Sequence, residues 1–175
     1  NPNKPPVFTL SFSEYPSWST FGVAAENGLV DPAEGKQSAL EKKWGVDLVI
    51  TLKDYEACIN LYSSGQIDAS CLTNLDSLAP ATGRPTVVIL PTSTSDGADA
   101  VIVPKDADLA YLKKNATYGL EKSVSQYVFE RNLVLQNETP KDYTFKNMDP
   151  AAAAQALQTK QPNINSIIVW NPFVL

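Results

Sequence analysis

Short apolar runs rich in branched residues alternate along the chain with longer amphipathic stretches. The runs have the length and composition of buried strands, and the stretches between them carry apolar residues at helical spacing. We predict strands at residues 7–13, 46–52, 67–73, 87–91, 100–103, 116–120, 143–146 and 164–170. Such alternation is typical of βαβ units, so the pattern predicts an α/β fold of mostly parallel sheets flanked by helices.

Residues that start and stop helices support this alternation. Ser, Asp and Asn cap the first N–H groups of a helix, Pro fits its first position, and Gly fits the left-handed turn that ends it. The predicted helices are a segment entered through Pro16 and Ser17 and stopped by Gly28, residues 34–44, a segment from Asp54 to Gly65, a short helix capped by Asn74, a helix after Asp106, a helix from Ser123 to Leu135, and a helix capped by Asp149 with Pro150 at its first position. Trp44 is expected in the core.

A polar loop at residues 92–97 indicates a crossing between two lobes. We predict lobe 1 at residues 1–94 and lobe 2 at residues 95–175, with the crossing segment at about residues 92–99. In open parallel sheets, ligands bind beyond the carboxyl ends of the strands, beside helix N-termini. The polar residues that follow each strand are therefore the candidate site.

The composition excludes several kinds of function. The formal net charge is -5 and basic residues form no block, so we expect neither nucleic acid nor an anionic membrane surface as a partner. The chain contains no His, the commonest general base and metal ligand. It also lacks the Gly-rich nucleotide motifs and the G-x-S-x-G motif of acyl transfer. We expect a non-catalytic protein that binds a small solute, with no metal or cofactor.

Two cysteines, Cys58 and Cys71, leave two alternatives open. Cys58 falls early in a predicted helix and Cys71 late in the following strand, so the two residues lie at similar levels. A disulfide is one reading. Two separate buried thiols are the other, because a helix and a sheet pack about 10 Å apart and this usually leaves the Cα atoms too distant for a bond.

The two ends of the chain also carry expectations. Residues 1–6 (NPNKPP) are polar and proline-rich, which suits a tether left after removal of an export signal; an arbitrary boundary is the alternative. Residues 169–175 end on apolar side chains, as expected of a fragment. We expect a periplasmic or extracellular location with the signal peptide absent from this chain, and lipid anchoring stays open.

Several segments resemble a known family. Residues 54–69 (DYEACINLYSSGQIDA), continuing to 73–78 (TNLDSL), resemble substrate-binding proteins of the nitrate, sulfonate and taurine class of ABC importers. Residues 95–100 (SDGADA), 120–127 (LEKSVSQY) and 170–172 (WNP) resemble the branch encoded beside urea carboxylase, which is associated with urea and guanidine.

The resemblance implies a periplasmic binding protein type 2 fold and a membrane permease as partner. Members continue past the Trp-Asn-Pro segment and return to the first lobe, so it also implies that this chain is C-terminally incomplete. We expect the protein to act as a monomer and to close its two lobes around the ligand.

The candidate site gathers polar and aromatic residues that follow the strands of both lobes. They are Glu14, Trp18, Asn74, Asp76, Ser95, Asp96, Glu121, Ser123, Trp170 and Asn171. Plainer roles stay open for several: Asp76 and Ser123 as helix caps, Asp96 as a turn residue, and Trp18 and Trp170 as core.

Carboxylates gathered without basic partners other than Lys122 favour a cationic ligand, because they otherwise repel one another. Planar guanidinium pairs with carboxylates and stacks on Trp, so it ranks first. Urea or a related amide ranks second, and nitrate- or taurine-like anions, which favour basic side chains, rank third.

Two other classes of function compete with solute binding. One is an enzyme of the pyrimidine-synthase type on the same fold, which would need His and cofactor contacts. The other is the effector domain of a transcription regulator, which would normally follow a basic helix-turn-helix that the proline-rich start does not offer.

Overall fold

The computed structural model describes residues 4–174. The strands are β1 (Val7–Phe12), β2 (Asp47–Leu52), β3 (Ala69–Ser70), β4 (Asp99–Ile102), β5 (Thr117–Gly119), β6 (Phe145–Asn147) and β7 (Ile167–Trp170). The helices are α1 (Ser19–Glu26), α2 (Ala39–Trp44), α3 (Tyr55–Ser63), α4 (Leu78–Gly83), α5 (Leu109–Lys114), α6 (Val124–Leu135) and α7 (Pro150–Gln158), with a 3-10 turn at Pro140–Asp142. The chain is an α/β protein whose sheets are mostly parallel and flanked by helices.

The chain divides into two compact units, Asn1–Ser93 and Thr94–Leu175, which we call unit 1 and unit 2. The division falls within the polar loop at residues 92–97. Among the described residues, no helix combines the length and apolarity needed to cross a membrane.

Unit 1 contains a three-stranded parallel sheet in the order β2-β1-β3. Its register is held at the amino end by Asp68, whose carboxylate accepts hydrogen bonds from the amide and hydroxyl of Thr9 at 2.8 and 2.7 Å. The amide of Asp68 donates in return to the Thr9 hydroxyl at 2.9 Å. Because these bonds favour the ionised carboxylate, they lower the pKa of Asp68.

The loop before β2 is organised by Glu41, a buried carboxylate in the first turn of α2. Its oxygens accept from the amides of Asp31, Ser38 and Leu48 at 2.8 to 2.9 Å. The Ser38 hydroxyl accepts from the Glu41 amide, which completes a capping box. Burial alone would raise the pKa of Glu41, but the backbone donors outweigh it and the pKa is lowered.

Unit 2 contains a four-stranded sheet in the order β4-β7-β5-β6, in which only the β4–β7 pair is antiparallel among the described strands. Successive residues of β7 pack into two separate hydrophobic clusters, one on each face of the sheet. Ile167 and Val169 pack with α7 on one face, and Ile168 packs with Phe129 and Leu133 of α6 on the other. Gly119 permits this close packing, since a Cβ at that position would collide with Ile168.

The predicted strand at residues 87–91 is wrong. The structure has no strand there, and the four side chains of Val87, Val88, Ile89 and Leu90 are 63% to 83% exposed. The run has strand-forming residues, but Pro85 and Pro91 flank it and no described strand pairs with it. Branched residues favour a strand only where a neighbouring strand and a buried face exist.

Other predicted elements are shorter than expected. The strand predicted at residues 67–73 contracts to β3, and the helix predicted at residues 34–44 begins only at Ala39, where Ser38 caps it. Trp44 is 70% exposed and does not join the core. Leu40, one turn earlier on the same face of α2, is exposed as well, whereas the buried residue of this helix is Glu41.

Two predicted cap side chains form cap bonds and two do not. Ser123 and Asp149 each accept from a first-turn amide, at 3.2 and 3.1 Å, and Pro150 occupies the first position of α7. Asp54 stands at the N-cap of α3 but its side chain makes no cap bond. Asn74 accepts instead from the adjacent Leu75 amide at 2.9 Å, because a turn separates it from α4.

Both cysteines are buried free thiols, which is the second of the two alternatives. Burial raises the pKa of Cys58, and it raises the pKa of Cys71 to about 12. Thiols with raised pKa values are poor nucleophiles at neutral pH, so the pair is unreactive in this state.

Candidate functional site

The carboxyl ends of the three parallel strands of unit 1 share one edge of the sheet. Glu14 follows β1, Tyr55 begins the helix after β2, and Asp76 follows β3. This edge is where ligands bind in open parallel sheets, so it is the candidate site of unit 1.

Asp76 is a buried carboxylate with defined partners. It is 6% exposed, and its Oδ2 accepts a hydrogen bond from the Tyr55 hydroxyl at 2.7 Å. The Asp76 amide donates to Thr73 Oγ1 at 3.1 Å, and the Thr73 amide donates to the Tyr55 oxygen at 3.0 Å. Asp76 does not cap α4, since Ser77 occupies that position. The carboxylate is therefore held in place by a residue from another strand end.

An aromatic stack lies beside this carboxylate. Trp18 and Tyr55 stack with ring centroids 5.5 Å apart and planes at 23°, and Tyr15 packs on Trp18 at 5.0 Å. Trp18 is 6% exposed. Trp18 is thus packed among aromatic rings. It also contacts Tyr55, the residue that donates the hydrogen bond to Asp76.

Two buried hydroxyls of the β1–α1 loop lack partners among the described residues. They belong to Ser13, which is fully buried, and Ser17. A buried polar group left without a hydrogen bond costs about 1–3 kcal/mol, so such groups are natural contacts for water or a ligand. Glu14, between them in sequence, is partly buried.

In unit 2, the residues after β5 lead into α6. Glu121 is exposed, and its amide donates to Asn147 Oδ1 at 2.9 Å. The Ser123 hydroxyl donates to the Leu120 carbonyl at 2.6 Å while capping α6. Ser123 therefore has a structural role as a helix cap.

The residues after β7 complete the unit 2 edge. Trp170 is buried at the end of the strand, and the Asn171 amide donates to the Ala98 carbonyl at 3.1 Å. Within residues 4–174, Asn171 Oδ1 and Ser125 Oγ are buried and have no hydrogen-bond partner. The unit 2 edge thus offers uncharged hydrogen-bonding groups.

The remaining predicted residues lie in exposed turns. Ser95 donates to Asp99 Oδ2 at 2.7 Å, Asp96 is exposed next to Gly97 at φ 65°, and Asn74 is exposed. Asp96 thus takes the form of a turn residue. No cluster of three metal-ligating side chains occurs in the described part of the chain.

Tyr55, Thr73 and Ser13 are residues of these edges that the sequence analysis did not single out. Tyr55 follows Asp54 directly, so its place at a strand end was readable from the same rule that selected Asp76. Its hydrogen bond to Asp76 spans 21 residues and depends on strand order, which the sequence does not reveal.

Solved structures resemble this chain. The alkanesulfonate-binding protein SsuA of Xanthomonas axonopodis pv. citri, bound to MOPS, matches with a TM-score of 0.74 and 19% identity over 98% of this chain and 56% of its own. The periplasmic aliphatic sulphonate binding protein SsuA of Escherichia coli matches with a TM-score of 0.66 and 17% identity over 97% and 56%. Lactococcal OpuAC, closed around glycine betaine, matches with a TM-score of 0.56 and 17% identity over 95% and 65%.

The chain spans little more than half the length of the two sulfonate-binding structures. No protein-family model matches it. A search of curated proteins also finds no match. At identities of 17% to 19%, the likeness shows the fold alone: this chain shares the α/β fold of the parts of these structures that it matches.

Proposed function

We propose that the chain is the extracytoplasmic solute-binding component of an ABC importer and that it captures a small planar cation such as guanidinium. The fold supports the first part, since its solved neighbours are named as binding proteins for sulfonates and for glycine betaine. A membrane permease is the proposed partner, the periplasm or cell exterior the proposed location, and a monomer the proposed state. Capture between two lobes stays a prediction from the sequence.

The main support for a cationic ligand is the buried carboxylate of Asp76. It lies beside the stacked rings of Trp18 and Tyr55, and the basic residue at this strand edge, Lys53, is exposed. A buried carboxylate repels oxyanions and attracts N–H donors. Sulfonates, which the neighbours of similar fold bind, therefore suit this edge less well than a cation.

Urea or a related amide is the second candidate. The buried hydroxyls of Ser13, Ser17 and Ser125 and the carbonyl oxygen of Asn171 are uncharged groups without partners among the described residues. A neutral ligand that both donates and accepts hydrogen bonds would satisfy such groups in either unit. An enzymatic function has less support, because the sequence has no His.

Calorimetric titration tests this proposal. We expect heat from guanidinium, with weaker binding of urea and none of nitrate or taurine. Binding of nitrate or taurine alone would overturn the cation proposal.

Glu14→Gln sharpens the test, because it removes one negative charge from the same edge. It should weaken guanidinium by about tenfold and urea by much less. Glu56→Gln is the matched control, since Glu56 is exposed on α3 and its loss changes the net charge equally. Equal losses for both ligands with Glu14→Gln would contradict the charge argument.

A further inference from the structure

Tyr55 connects two strand ends that are not neighbours in the sheet. It begins α3, directly after β2, while its partners Thr73 and Asp76 follow β3. In the order β2-β1-β3, these strands lie on opposite sides of β1. The strands are about 10 Å apart, twice the usual spacing, so the tyrosine side chain reaches across the carboxyl end of β1.

The direction of the hydrogen bonds along this bridge is fixed. The Thr73 amide can only donate, so the Tyr55 oxygen accepts from it at 3.0 Å. The hydroxyl has a single proton to donate and two possible acceptors, Asp76 Oδ2 at 2.7 Å and Thr73 Oγ1 at 3.3 Å. The shorter contact indicates that it donates to Asp76. A short bond to a charged acceptor belongs to the stronger class of hydrogen bonds.

We infer that Tyr55 sets the specificity of Asp76: it takes one acceptor position of Oδ2 and leaves Oδ1 as the uncontested acceptor for an N–H donor of a guanidine, amidine or amide ligand. This inference rests on the proposed function and concerns the same site. Asp76 Oδ1 has no hydrogen bond within the described chain. Guanidinium pairs with both oxygens of a carboxylate, so it would have to share Oδ2 with the tyrosine hydroxyl, and this competition weakens the second N–H bond.

The protonation of Tyr55 supports this role. Burial raises the pKa of Tyr55, and the negative charge of Asp76 raises it further. The hydroxyl therefore remains a donor throughout the pH range of binding experiments. Asp76 consequently meets its ligand with one oxygen engaged.

The test compares Tyr55→Phe with Tyr62→Phe in the full chain. Tyr62 is also a buried tyrosine of α3, and its hydroxyl donates to Thr86 Oγ1 at 3.2 Å. Tyr55→Phe keeps the ring stack on Trp18 but frees both oxygens of Asp76. We expect the ratio of the urea Kd to the guanidinium Kd to rise about tenfold in Tyr55→Phe and to stay unchanged in Tyr62→Phe. An unchanged ratio in Tyr55→Phe overturns the inference while leaving the proposed function intact.

A measurement without ligand covers the case in which the parent chain binds neither solute. Urea denaturation of Tyr55→Phe, Asp76→Ala and the double variant reports whether the two side chains interact. Additive losses overturn the bridge and the inference. Non-additive losses support the bridge, and if guanidinium and urea also give no heat with the parent chain, the proposed function and the specificity role both fail.

Discussion

Both units bury hydroxyls, including Ser11 and Ser13 of unit 1, but they differ in buried charge. Among the described residues, the buried carboxylates all lie in unit 1: Glu41, Asp47 and Asp76. The buried polar residues of unit 2 all carry hydroxyls: Thr117, Ser123, Ser125 and Ser166. Its ion pair, Lys113 with Glu138 at 2.7 Å, has side chains 40% and 22% exposed.

This difference shows where charge is placed in each unit. The buried carboxylates of unit 1 each accept at least one hydrogen bond: from backbone amides for Glu41, from the Gly35 amide for Asp47 and from a tyrosine hydroxyl for Asp76. Unit 2 buries neutral groups that need fewer partners. Unit 1 therefore buries a charged group, Asp76, at its sheet edge, whereas the edge of unit 2 offers neutral hydrogen-bonding groups.

The largest expected effect on stability comes from Glu41. Glu41→Gln keeps the shape of the side chain but replaces one acceptor oxygen with an NH₂ group. That NH₂ group would face a backbone N–H donor and could not accept its hydrogen bond. We expect a loss of about 1–3 kcal/mol in the free energy of unfolding at pH 7. Urea denaturation measures it, and Glu138→Gln, at the exposed ion pair of unit 2, should cost much less.

The same variant carries a pH dependence. The folded pKa of Glu41 lies below its ordinary value of 4.5, so its stabilisation is present above that value and is lost as the pH falls through the lowered folded pKa. The free energy of unfolding of the parent should therefore fall below about pH 4.5 more steeply than that of Glu41→Gln. Parallel curves would show that Glu41 is not held as a carboxylate by its backbone donors.

The sequence predicted the sheets better than it predicted the contacts of the site. The strands β1, β2 and β7 were predicted from their short runs of apolar and branched residues, and β7 is buried at all four positions. Residues 87–91 carry the same signal, yet they find no neighbouring strand among the described residues. Apolar character alone cannot reveal whether a partner strand exists.

The site shows the same limit. Asp76 was predicted at the sheet edge from the sequence because ligands bind beyond the carboxyl ends of parallel strands. The hydrogen bond from Tyr55 to Asp76 could not be predicted in this way, because it requires β2 and β3 to flank β1. The partnerless hydroxyls of Ser13 and Ser125 were equally invisible, since lack of a partner is a property of packing. Local signals such as the Ser123 and Asp149 caps were readable because donor and acceptor lie within three residues.

Two serines of α6 test whether unit 2 keeps hydrogen-bonding capacity for a ligand. Ser123→Ala removes a cap and should cost about 1 kcal/mol. Ser125→Ala removes a hydroxyl that is 1% exposed and has no partner in the described chain, so it should be neutral or slightly stabilising. Thermal unfolding measures both. A loss for Ser125→Ala as large as that for Ser123→Ala would mean that Ser125 already has a structural partner, and unit 2 would then lack this spare group.

The smallest expected effect compares one cap position from each unit. Asp149 accepts from the Ala152 amide at 3.1 Å, whereas Asp54 stands at the N-cap of α3 without such a bond. Asp149→Ala should therefore cost about 1 kcal/mol and Asp54→Ala less than about 0.5 kcal/mol, the remainder being its charge at the helix N-terminus. Urea denaturation at low and high salt separates these contributions, because salt screens the charge and leaves a cap bond in place. If Asp54→Ala cost as much as Asp149→Ala at both salt concentrations, its carboxylate would be capping α3, and the helix that carries Tyr55 would be anchored at both its first residue and its cap.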